Sequence, residues 1–502
     1  MTGAEHSCFA VQLCITSTAR RISSIRLLIA QLPQLLNRIL VFSLSGPRYF
    51  FLRARRDEIS ICLFEQSESF HGLDRLLQLS LSRSSVQIAI IGGGAAGFFA
   101  AITCARADPA NDVSILERGS HFLTKVRISG GGRCNVTNVC SDPIQLSEHF
   151  PRGRRALISP FAQFSSKHTV AWFEARGVKL KVEPDGRIFP TTDSSGTIVD
   201  CLLNEAKSAG VRLLTGKAIN RVTKTADNRF ELHLIQGEAI HCDRLLLATG
   251  GARSIAGAQI AQSLGHTILP PVPSLFSFNI AATWIRSLPG VSFPDAEVSV
   301  SKTKLRQRGP ILITHRGLSG PAILRLSAWG ARILSDLNHR FTLRVNWLPD
   351  IDTMEITSRF QSMRQSNPNR HVSNSPLFTF PGRLWEKVVL TAGIDEETRW
   401  TTLSREKAHA LACLLKRTEL DVTGQSLNKD EFVTCGGVDL REVDFKTMES
   451  RICPNLYFAG ELLDLDGITG GFNFQAAWTT GWIAGHAMAD HEPPALGSST
   501  LP

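Results

Sequence analysis

The sequence contains no CxxC pair and no uninterrupted apolar run long enough to cross a membrane. Its eleven cysteines are scattered over 502 residues, which indicates neither a disulfide framework nor a zinc site and favours a reducing cytoplasm. The longest apolar stretch, 22–52, is broken by Arg26, Pro33, Arg38 and Arg48, whereas a membrane-spanning helix needs about 18 apolar residues in succession. We therefore expect a cytoplasmic protein without a membrane span and without a bound metal.

A dense block of lysine and arginine is also missing, although the net charge is +10. Residues 1–85 contain ten arginines and six acidic residues, so the remaining 45 basic and 39 acidic residues leave only +6 over 417 residues. This is weak evidence for a nucleic-acid partner, because nucleic-acid-binding domains concentrate their basic residues on one face. The apolar content of 43% and the charged content of 20% are typical of a globular protein.

The N-terminal segment 1–85 has the composition of a leader. Between His6 and Arg56 there are eight arginines and no acidic residue. This composition is typical of an organelle transit peptide or of a basic segment on a membrane surface. It also fits a dispensable extension, because the first convincing strand begins at Val86, or a small helical addition. We predict that 1–85 is disordered or dispensable, with an organellar location as the alternative.

From Val86 onward the sequence predicts an α/β fold. The apolar run 86–91, a glycine-rich turn, a small-residue helix and a strand ending at Glu117 form one βαβ unit. Two later strand signals, 244–248 and 455–459, also run into glycine turns. We expect a Rossmann-type dinucleotide-binding domain that is split in sequence by an inserted β-rich domain and a helical subdomain. The predicted boundaries are 86–266 and 431–490 for the split domain, 267–350 for the β-rich insertion, 351–430 for the helical subdomain and 491–502 for a tail.

The glycine-rich turn has the spacing of a dinucleotide fingerprint. Gly92 permits a tight turn, Gly94 lets a diphosphate approach the backbone, and Gly97 allows close packing of helix and strand. The helix N-terminus then offers free N–H groups to the phosphates. Glu117 lies about 20 residues beyond Gly97, where its carboxylate can bind the ribose hydroxyls and would repel a 2′-phosphate, which disfavours NADP.

A second glycine constellation near the C-terminus favours FAD over NAD. Gly460 and Glu461 follow a strand, and Gly470 to Asn473 open the last helix. Gly460 allows a ribityl chain to pass, and Glu461 can bind its hydroxyls. The helix that begins near Gly471 would direct its positive end at the flavin N1–C2=O edge, where negative charge collects on reduction.

These motifs, with several others, resemble the BaiN-like bacterial flavoproteins, also known as aminoacetone-oxidase-type FAD-binding enzymes. The similarity covers about 86–490 and rests on IIGGGAAG (90–97), ISGGGRCNVTN (128–138), GRIFP (186–190), THRGLSGP (314–321), TCGGV (434–438) and LYFAGELLD (456–464). One departure concerns the segment after Gly251, where the family's Ser-Tyr-Pro and glycine-rich turn are replaced by 252–259. Substrate or activity is therefore expected to differ if that turn shapes the substrate side of the flavin.

The resemblance implies an FAD-binding Rossmann-type domain split in sequence, a β-barrel-like insertion and a small helical subdomain. It also implies an oxidoreductase, since some members are NAD(P)H-dependent reductases of conjugated keto-steroids. From the motifs and the resemblance together we expect cofactor contacts at Gly92, Gly94, Ala95, Ala96, Gly97, Glu117, Arg118, Lys125, Gly132, Arg133, Cys134, Asn135, Ala248, Thr249, Gly250, Gly460, Glu461, Gly470, Gly471, Phe472 and Asn473.

The catalytic groups are not identified by the sequence. Cys134 invites a redox role, but the nearest other cysteine, Cys140, is not in a CxxC arrangement with it, so a packed or flavin-contacting cysteine is the simpler interpretation. His315 ends a β-run before a turn and could donate a proton, or be hydrogen-bonded within its turn. Lys125 and Arg127 are candidate phosphate partners or ordinary surface charges.

These observations predict an FAD-dependent oxidoreductase that acts on a small organic molecule, with reduction of conjugated carbonyl compounds by NADH or NADPH as a specific possibility. No second GxGxxG follows Gly97, so a nicotinamide would have to share the substrate cavity and react in a ping-pong sequence; otherwise the substrate reduces the flavin and oxygen reoxidises it. The alternatives are a tRNA-modifying flavoprotein and a non-catalytic, flavin-bound redox sensor. The oligomeric state is not predicted.

Overall fold

The computed structural model describes residues 39–43, 48–55, 58–65, 85–251, 255–426 and 433–489, and the chain divides into two compact units, 1–84 and 85–502. The first unit contains a three-stranded antiparallel sheet in which strands adjacent in sequence pair with each other. They are β1 (Ile39–Ser43), β2 (Arg48–Arg55) and β3 (Glu58–Glu65). Strands were not expected in this leader, because the prediction was based on its high arginine content. Its short runs of aromatic and β-branched residues favour extended backbone. The rest of the leader and the 491–502 tail lie outside the described residues.

The second unit begins with the predicted βαβ unit and continues through small helices and two three-stranded antiparallel sheets. Its elements as far as residue 263 are β4 (Gln87–Ile91), α1 (Ala95–Ala107), β5 (Asp112–Leu116), α2 (Thr124–Gly132), β6 (Thr137–Asn138), α3 (Pro143–Ser147), α4 (Arg154–Gln163), α5 (Ser166–Glu174), β7 (Leu180–Val182), β8 (Arg187–Pro190), α6 (Ser195–Ser208), β9 (Arg212–Leu214), β10 (Ile219–Lys224), β11 (Phe230–Leu234), β12 (Ile240–Cys242), β13 (Arg244–Leu247) and α7 (Ile255–Ser263). Residues 252–254, in the segment that departs from the family pattern, lie outside the described part.

The middle of the chain forms a closed six-stranded barrel with helices packed against it. Its elements are β14 (Ile268–Ser274), β15 (Ser277–Ile280), α8 (Thr283–Arg286), β16 (Ser292–Val300), β17 (Arg306–Thr314), β18 (Gly317–Ser319), α9 (Pro321–Trp329), α10 (Ala331–Asp336), β19 (Phe341–Asn346), α11 (Thr353–Ser366), α12 (Gly382–Thr391), a 3₁₀ turn at Trp400–Thr402, α13 (Arg405–Lys416) and β20 (Thr418–Ser426). Six of these seven strands form the barrel, in the order β15-β18-β17-β16-β19-β20, and β20 closes it by pairing with β15. The other strand, β14, lies outside the barrel.

The barrel extends past the boundary that the sequence suggests at residue 350. Its sixth strand, β20, follows the helical segment, because closure requires a partner for both β15 and β19. Trp385 and Trp400 of the helical segment share one hydrophobic core with Trp347 beside the barrel. The helices are therefore an insertion between the fifth and sixth barrel strands.

The C-terminal part returns to the dinucleotide-binding domain. Its elements are β21 (Val433–Val438), a 3₁₀ turn at Leu440–Glu442, β22 (Val443–Asp444), β23 (Glu449–Ser450), β24 (Leu456–Phe458), a 3₁₀ turn at Gly460–Leu462 and α14 (Phe472–Met488). The seven-stranded sheet has the order β22-β23-β24-β13-β4-β5-β9, with β24, β13, β4, β5 and β9 parallel. The predicted split α/β fold with an inserted barrel is confirmed.

The two helices that flank the predicted site pack closely against each other. A Cβ at Gly481 of α14 would lie 2.5 Å from the Ala96 carbonyl oxygen of α1, and one at Gly485 would lie 2.6 Å from the Ala100 carbonyl oxygen. Only glycine permits backbones to approach so closely. Within the described residues no helix is long and apolar enough to cross a bilayer.

Candidate active site

The glycine turn lies where β4 ends, beside the carboxyl ends of β5 and β13. Gly92 has a φ of +116°, and a Cβ there would collide with the Ala248 carbonyl oxygen at the end of β13. A Cβ at Gly97 would collide with the Gly92 carbonyl oxygen. Both glycines are therefore required by the packing of the turn, as the fingerprint predicts for its first and third positions.

The second glycine of the fingerprint faces open space. A Cβ at Gly94 would meet no atom within 4 Å, although Gly94 is the N-cap of the 13-residue helix α1. Ala95 and Ala96 form the first turn, which contains no acidic residue, so the partial positive charge of the helix end is not offset there. This concave backbone surface fits the diphosphate of a dinucleotide.

Glu117 is fixed at the end of β5 by two backbone donors. Its Oε2 accepts a hydrogen bond from the Gly93 N–H at 2.9 Å, and its Oε1 accepts one from the Gly119 N–H at 2.8 Å. Each carboxylate oxygen keeps a further lone pair for a hydroxyl donor. The half-buried carboxylate is thus oriented toward the glycine turn, while Arg118 is exposed.

A second glycine-rich segment presents bare backbone. Gly130, Gly131 and Gly132 have φ values of +57°, +68° and +85° and are all exposed. A Cβ at Gly131 or Gly132 would meet nothing within 4 Å. These three left-handed residues end α2, and the absence of side chains leaves room for a planar ring to lie against the loop.

Cys134 is buried behind this loop and is not poised for redox chemistry. Its side chain has no exposed surface, and burial raises the pKa of the thiol to about 12. The thiolate, which is the reactive form, is therefore rare at neutral pH. This environment does not support a catalytic thiol at Cys134, and a packed cysteine stays the simpler interpretation.

Arg133 and Asn135 make contacts within the protein. The Arg133 guanidinium binds Glu183 at 2.7 Å and Asp193 at 3.5 Å, and it lies 4.1 Å from the centre of the Phe189 ring. With the Asn135 amide assigned the orientation that gives both of its atoms a partner, its oxygen accepts a hydrogen bond from the Gly471 N–H at 2.9 Å. Asn135 therefore joins the glycine loop to the start of α14.

Hydrogen bonds and close backbone contacts of the loop before α14 fix the position of the start of this helix. Gly471 has a φ of +92°, and a Cβ there would lie 2.6 Å from the Thr137 backbone. The Asn473 side chain bonds both the N–H and the carbonyl of Gly467, at 2.8 and 2.9 Å. Gly470 accepts from Asn138 at 3.1 Å, so this segment orients the helix end by internal hydrogen bonds.

Glu461 is paired with Lys125, which lies far from it in the sequence. The Lys125 ammonium lies 2.7 Å from Glu461 Oε2, and the Thr434 N–H donates to Oε1 at 2.8 Å. The sequence assigned these two side chains to separate parts of the cofactor, whereas the structure brings them together. A Cβ at Gly251 would lie 2.8 Å from Glu461 Oε1, so the glycine turn after β13 adjoins the same pair.

Gly460 lies between the two close-packed helices. Its φ is +72°, its N–H donates to Thr480 Oγ1 at 3.0 Å, and a Cβ there would lie 3.0 Å from Ala96 Cβ.

Thr249 Oγ1 is buried without a hydrogen-bond partner among the described residues, beside Gly250, whose φ is +77°. An unsatisfied buried hydroxyl at this edge of the sheet fits a site completed by a polar ligand.

His315 lies on the barrel, exposed in the turn between β17 and β18. The hydrogen bonds and ion pairs of the described residues do not connect it to the glycine turns. A histidine that the sequence did not single out contacts the start of α14. The His149 ring stacks on Phe472, the first residue of α14, with ring centres 4.1 Å apart, and burial lowers the pKa of His149.

A buried ion pair that the sequence did not reveal joins the dinucleotide-binding domain to the barrel. The Arg152 guanidinium binds the fully buried Asp466 carboxylate through two nitrogens. It also donates to the Ala328 carbonyl at 2.6 Å, and Ser274 donates to Asp466 at 2.6 Å. The arginine and the aspartate stand near opposite ends of the second unit's sequence, so nothing local marks them as partners.

The residues present thus fit an FAD molecule. The open backbone at Gly94 would accept the diphosphate, and the oriented carboxylate of Glu117 would accept the ribose. The bare loop 130–132 would lie against the planar ring, and the helix end at Gly471 would face the electron-rich edge of that ring. The individual cofactor contacts stay predictions.

Comparisons with known proteins bear on this site. The HI0933-like protein Rossmann domain family matches residues 86–487. Ribosomal RNA dihydrouridine synthase of Escherichia coli strain K12 is 31% identical over 407 residues, which are 78% of this chain and 95% of that protein. The 3-dehydro-bile acid delta(4,6)-reductase of Clostridium scindens is 30% identical over 413 residues, which are 80% of this chain and 99% of that protein.

Among solved structures, 3-ketosteroid-delta4-(5alpha)-dehydrogenase from Rhodococcus jostii RHA1 aligns with a TM-score of 0.43 and 14% identity. The alignment covers 82% of this chain and 98% of that chain.

Proposed function

The chain belongs to the HI0933-like flavoprotein family and is an FAD-dependent oxidoreductase, and from this premise we propose that it reduces a carbon–carbon double bond conjugated to a carbonyl group. The names of the two similar proteins support this chemistry. Formation of dihydrouridine and reduction of a 3-keto-Δ4,6 steroid both saturate such a bond.

One observation carries the proposal: in the described part of the chain, the cysteine behind the bare glycine loop 130–132 is buried and unreactive. Burial and the raised pKa of Cys134 leave no exposed thiolate there, so a dithiol relay between flavin and substrate is not supported. A bound FAD supplies two-electron transfer at its ring. The protein's part is to hold the substrate against that ring and exclude water.

The chain's own groups divide this task. Glu117 and the N-terminus of α1 bind the adenosine diphosphate half, while Asn135 holds the Gly471 N–H and so fixes the end of α14 near the ring. The half-buried His149, stacked on Phe472 beside Gly471, is the group to which we assign donation of a proton to the substrate carbon. We propose it in place of His315.

We further propose that NADH or NADPH reduces the enzyme in the same cavity that later receives the substrate. The single fingerprint Gly92–Gly97 supports this order, because a separate nicotinamide domain would need a second one. Initial-rate plots at several fixed nicotinamide concentrations should then give parallel double-reciprocal lines. Intersecting lines would instead require a ternary complex.

The test of the reaction is anaerobic. Purified enzyme is reduced with NADH or NADPH, excess nicotinamide is removed, and flavin absorbance near 450 nm is followed after addition of cyclohex-2-enone or a 3-keto-Δ4 steroid. We expect the absorbance to return and the product to gain two hydrogens by mass spectrometry. If neither conjugated carbonyl reoxidises the flavin while oxygen does, the proposal fails and an oxidase acting on an amine or hydroxy donor takes its place.

A further inference from the structure

The tip of one barrel hairpin presents cations for which the described part of the chain supplies no ion-pair partner. Lys302, Lys304 and Arg306, between β16 and β17, are all exposed. Cations farther along the barrel are neutralised: Arg308 binds Asp295 at 2.6 Å, and Arg344 binds Glu419 at 3.0 Å. Among the described residues, no ion pair includes any of the three cations at the tip.

This tip lies beside the junction of α9 and α10. A Cβ at Gly330 would lie 2.7 Å from Leu305 Cδ1, so the hairpin loop touches the residue that separates the two helices. The Ser301 N–H also donates to the Thr342 carbonyl at 3.0 Å. That bond brings the tip close to Arg340, which is a fourth exposed cation without an ion pair in the described part of the chain.

An exposed apolar row follows the same junction. Trp329, Ile333 and Leu337 are spaced at one helical turn from each other, and their exposed fractions are 39%, 43% and 39%. Asp336 is the exposed acidic residue on this helix pair. An exposed tryptophan among several unpaired cations is unusual for an ordinary solvated face, because large aromatic side chains are mostly buried.

The junction is also in contact with the dinucleotide-binding domain. The Ala328 carbonyl, directly before Trp329, accepts a hydrogen bond from Arg152 at 2.6 Å. Arg332 of α10 lies 3.5 Å from Asp464, which follows Glu461 closely in the sequence. The exposed cations and Trp329 therefore stand at the rim of the domain that carries the glycine turns.

We propose that this barrel-tip surface, formed by Lys302, Lys304, Arg306, Trp329 and Arg340, binds single-stranded RNA. The four cations neutralise phosphates, and the Trp329 ring stacks on a base, which is how proteins commonly hold unpaired RNA. The proposal rests on the proposed function, since uracil contains a carbon–carbon double bond conjugated to a carbonyl.

The test measures binding of a 5′-fluorescein-labelled, 20-nucleotide single-stranded oligoribonucleotide of mixed sequence to the FAD-loaded full chain by fluorescence anisotropy. The triple variant K302Q/K304Q/R306Q should bind at least tenfold more weakly. Its slope of log affinity against log salt should fall by about 2, because each lost phosphate contact removes about 0.7 for single strands. W329A should weaken binding about fivefold or more, as expected when base stacking is lost.

The matched control is K179Q/K207Q/K446Q, which removes three exposed lysines of the dinucleotide-binding domain and should leave affinity and salt slope unchanged. Flavin absorbance and melting temperature verify that each variant is folded.

The proposal is overturned if the native chain does not bind the oligoribonucleotide, if both triple variants weaken binding equally, or if phosphatidylserine vesicles bind the tip in place of RNA. Reoxidation by cyclohex-2-enone is measured on the same samples, so loss of the reaction with RNA binding intact contradicts the proposed function and not this surface.

Discussion

At the scale of single residues, the site is built from glycines whose missing side chains do different things. Gly92 and Gly97 are required because a Cβ would strike neighbouring backbone, whereas Gly94 leaves an empty cradle. A substitution at the first two should disturb folding, while one at Gly94 should disturb ligand binding alone. The same residue type therefore serves packing at two positions and recognition at the third.

The carboxylate of Glu117 gives the sharpest test at this scale. Glu117→Gln should weaken FAD binding about 5- to 150-fold, because replacing a charged acceptor costs about 1–3 kcal/mol. Fluorescence titration of the apoprotein with FAD measures the change. Glu174→Gln, at an exposed position on α5, is the control and should bind FAD normally. An unchanged dissociation constant in Glu117→Gln would place the ribose elsewhere.

Local patterns predicted these glycines and Glu117, because all of them lie in one βαβ unit between 92 and 117. The pairing of Lys125 with Glu461 and of Arg152 with Asp466 could not be predicted, since each pair joins the early and late parts of the split domain. Arg133 binds Glu183 and Asp193, which no local pattern indicates, while its contact with the cofactor stays a prediction. Long-range ion pairs depend on how the domains fold together, which no local spacing encodes.

At the scale of elements, the contact between α1 and α14 holds the two halves of the split domain together. Gly481→Val would force side-chain atoms into the Ala96 carbonyl oxygen, so we expect a loss of stability of about 1–3 kcal/mol, typical of overpacking, together with weaker FAD binding. Urea unfolding and flavin retention measure both effects. Ala487→Val, at a half-buried position of the same helix, should change neither strongly; equal behaviour of the two variants would contradict this account.

A buried histidine links α7 to β23 and makes stability depend on pH. The His266 ring bonds the Ala261 carbonyl and Ser450 Oγ, and burial lowers the pKa of His266. The folded state therefore favours the neutral ring, so its contribution is complete above about pH 6.5 and is lost as the pH falls through the lowered pKa.

Urea unfolding at pH 7.5 and at pH 5.5 tests this dependence. His266→Gln should show a shallower decline in unfolding free energy, by at most about 1.4 kcal/mol per pH unit. Parallel declines in the native protein and the variant would assign the pH dependence to other groups.

At the scale of the whole molecule, the sequence predicted the split α/β domain and its family, because the motifs lie at strand ends that any parallel sheet brings together. It did not predict where the barrel ends, since β20 is separated from β19 by a helical insertion. The predicted resemblance is confirmed by the family match over 86–487.

Removal of residues 1–85 tests the independence of the flavoprotein unit. We expect the truncated chain to retain FAD with an unchanged visible spectrum, because the described strands of the seven-stranded sheet, from β4 onward, all belong to the second unit. The measurement is the ratio of flavin to protein after purification, with the full chain as the reference. A folded truncation without FAD would make the leader part of the binding site.

The position of α14 also has a consequence for biosynthesis. During translation α1 leaves the ribosome early, but the helix that covers it begins only at Phe472, after the whole barrel and its helical insertion. At roughly 5–20 residues per second this interval lasts about 20 to 70 s. The face of α1 that packs against α14 stays uncovered throughout, while the intervening barrel can already close. Nascent chains that stall after the barrel should therefore depend on chaperones, and only the emergence of α14 lets the cofactor domain form.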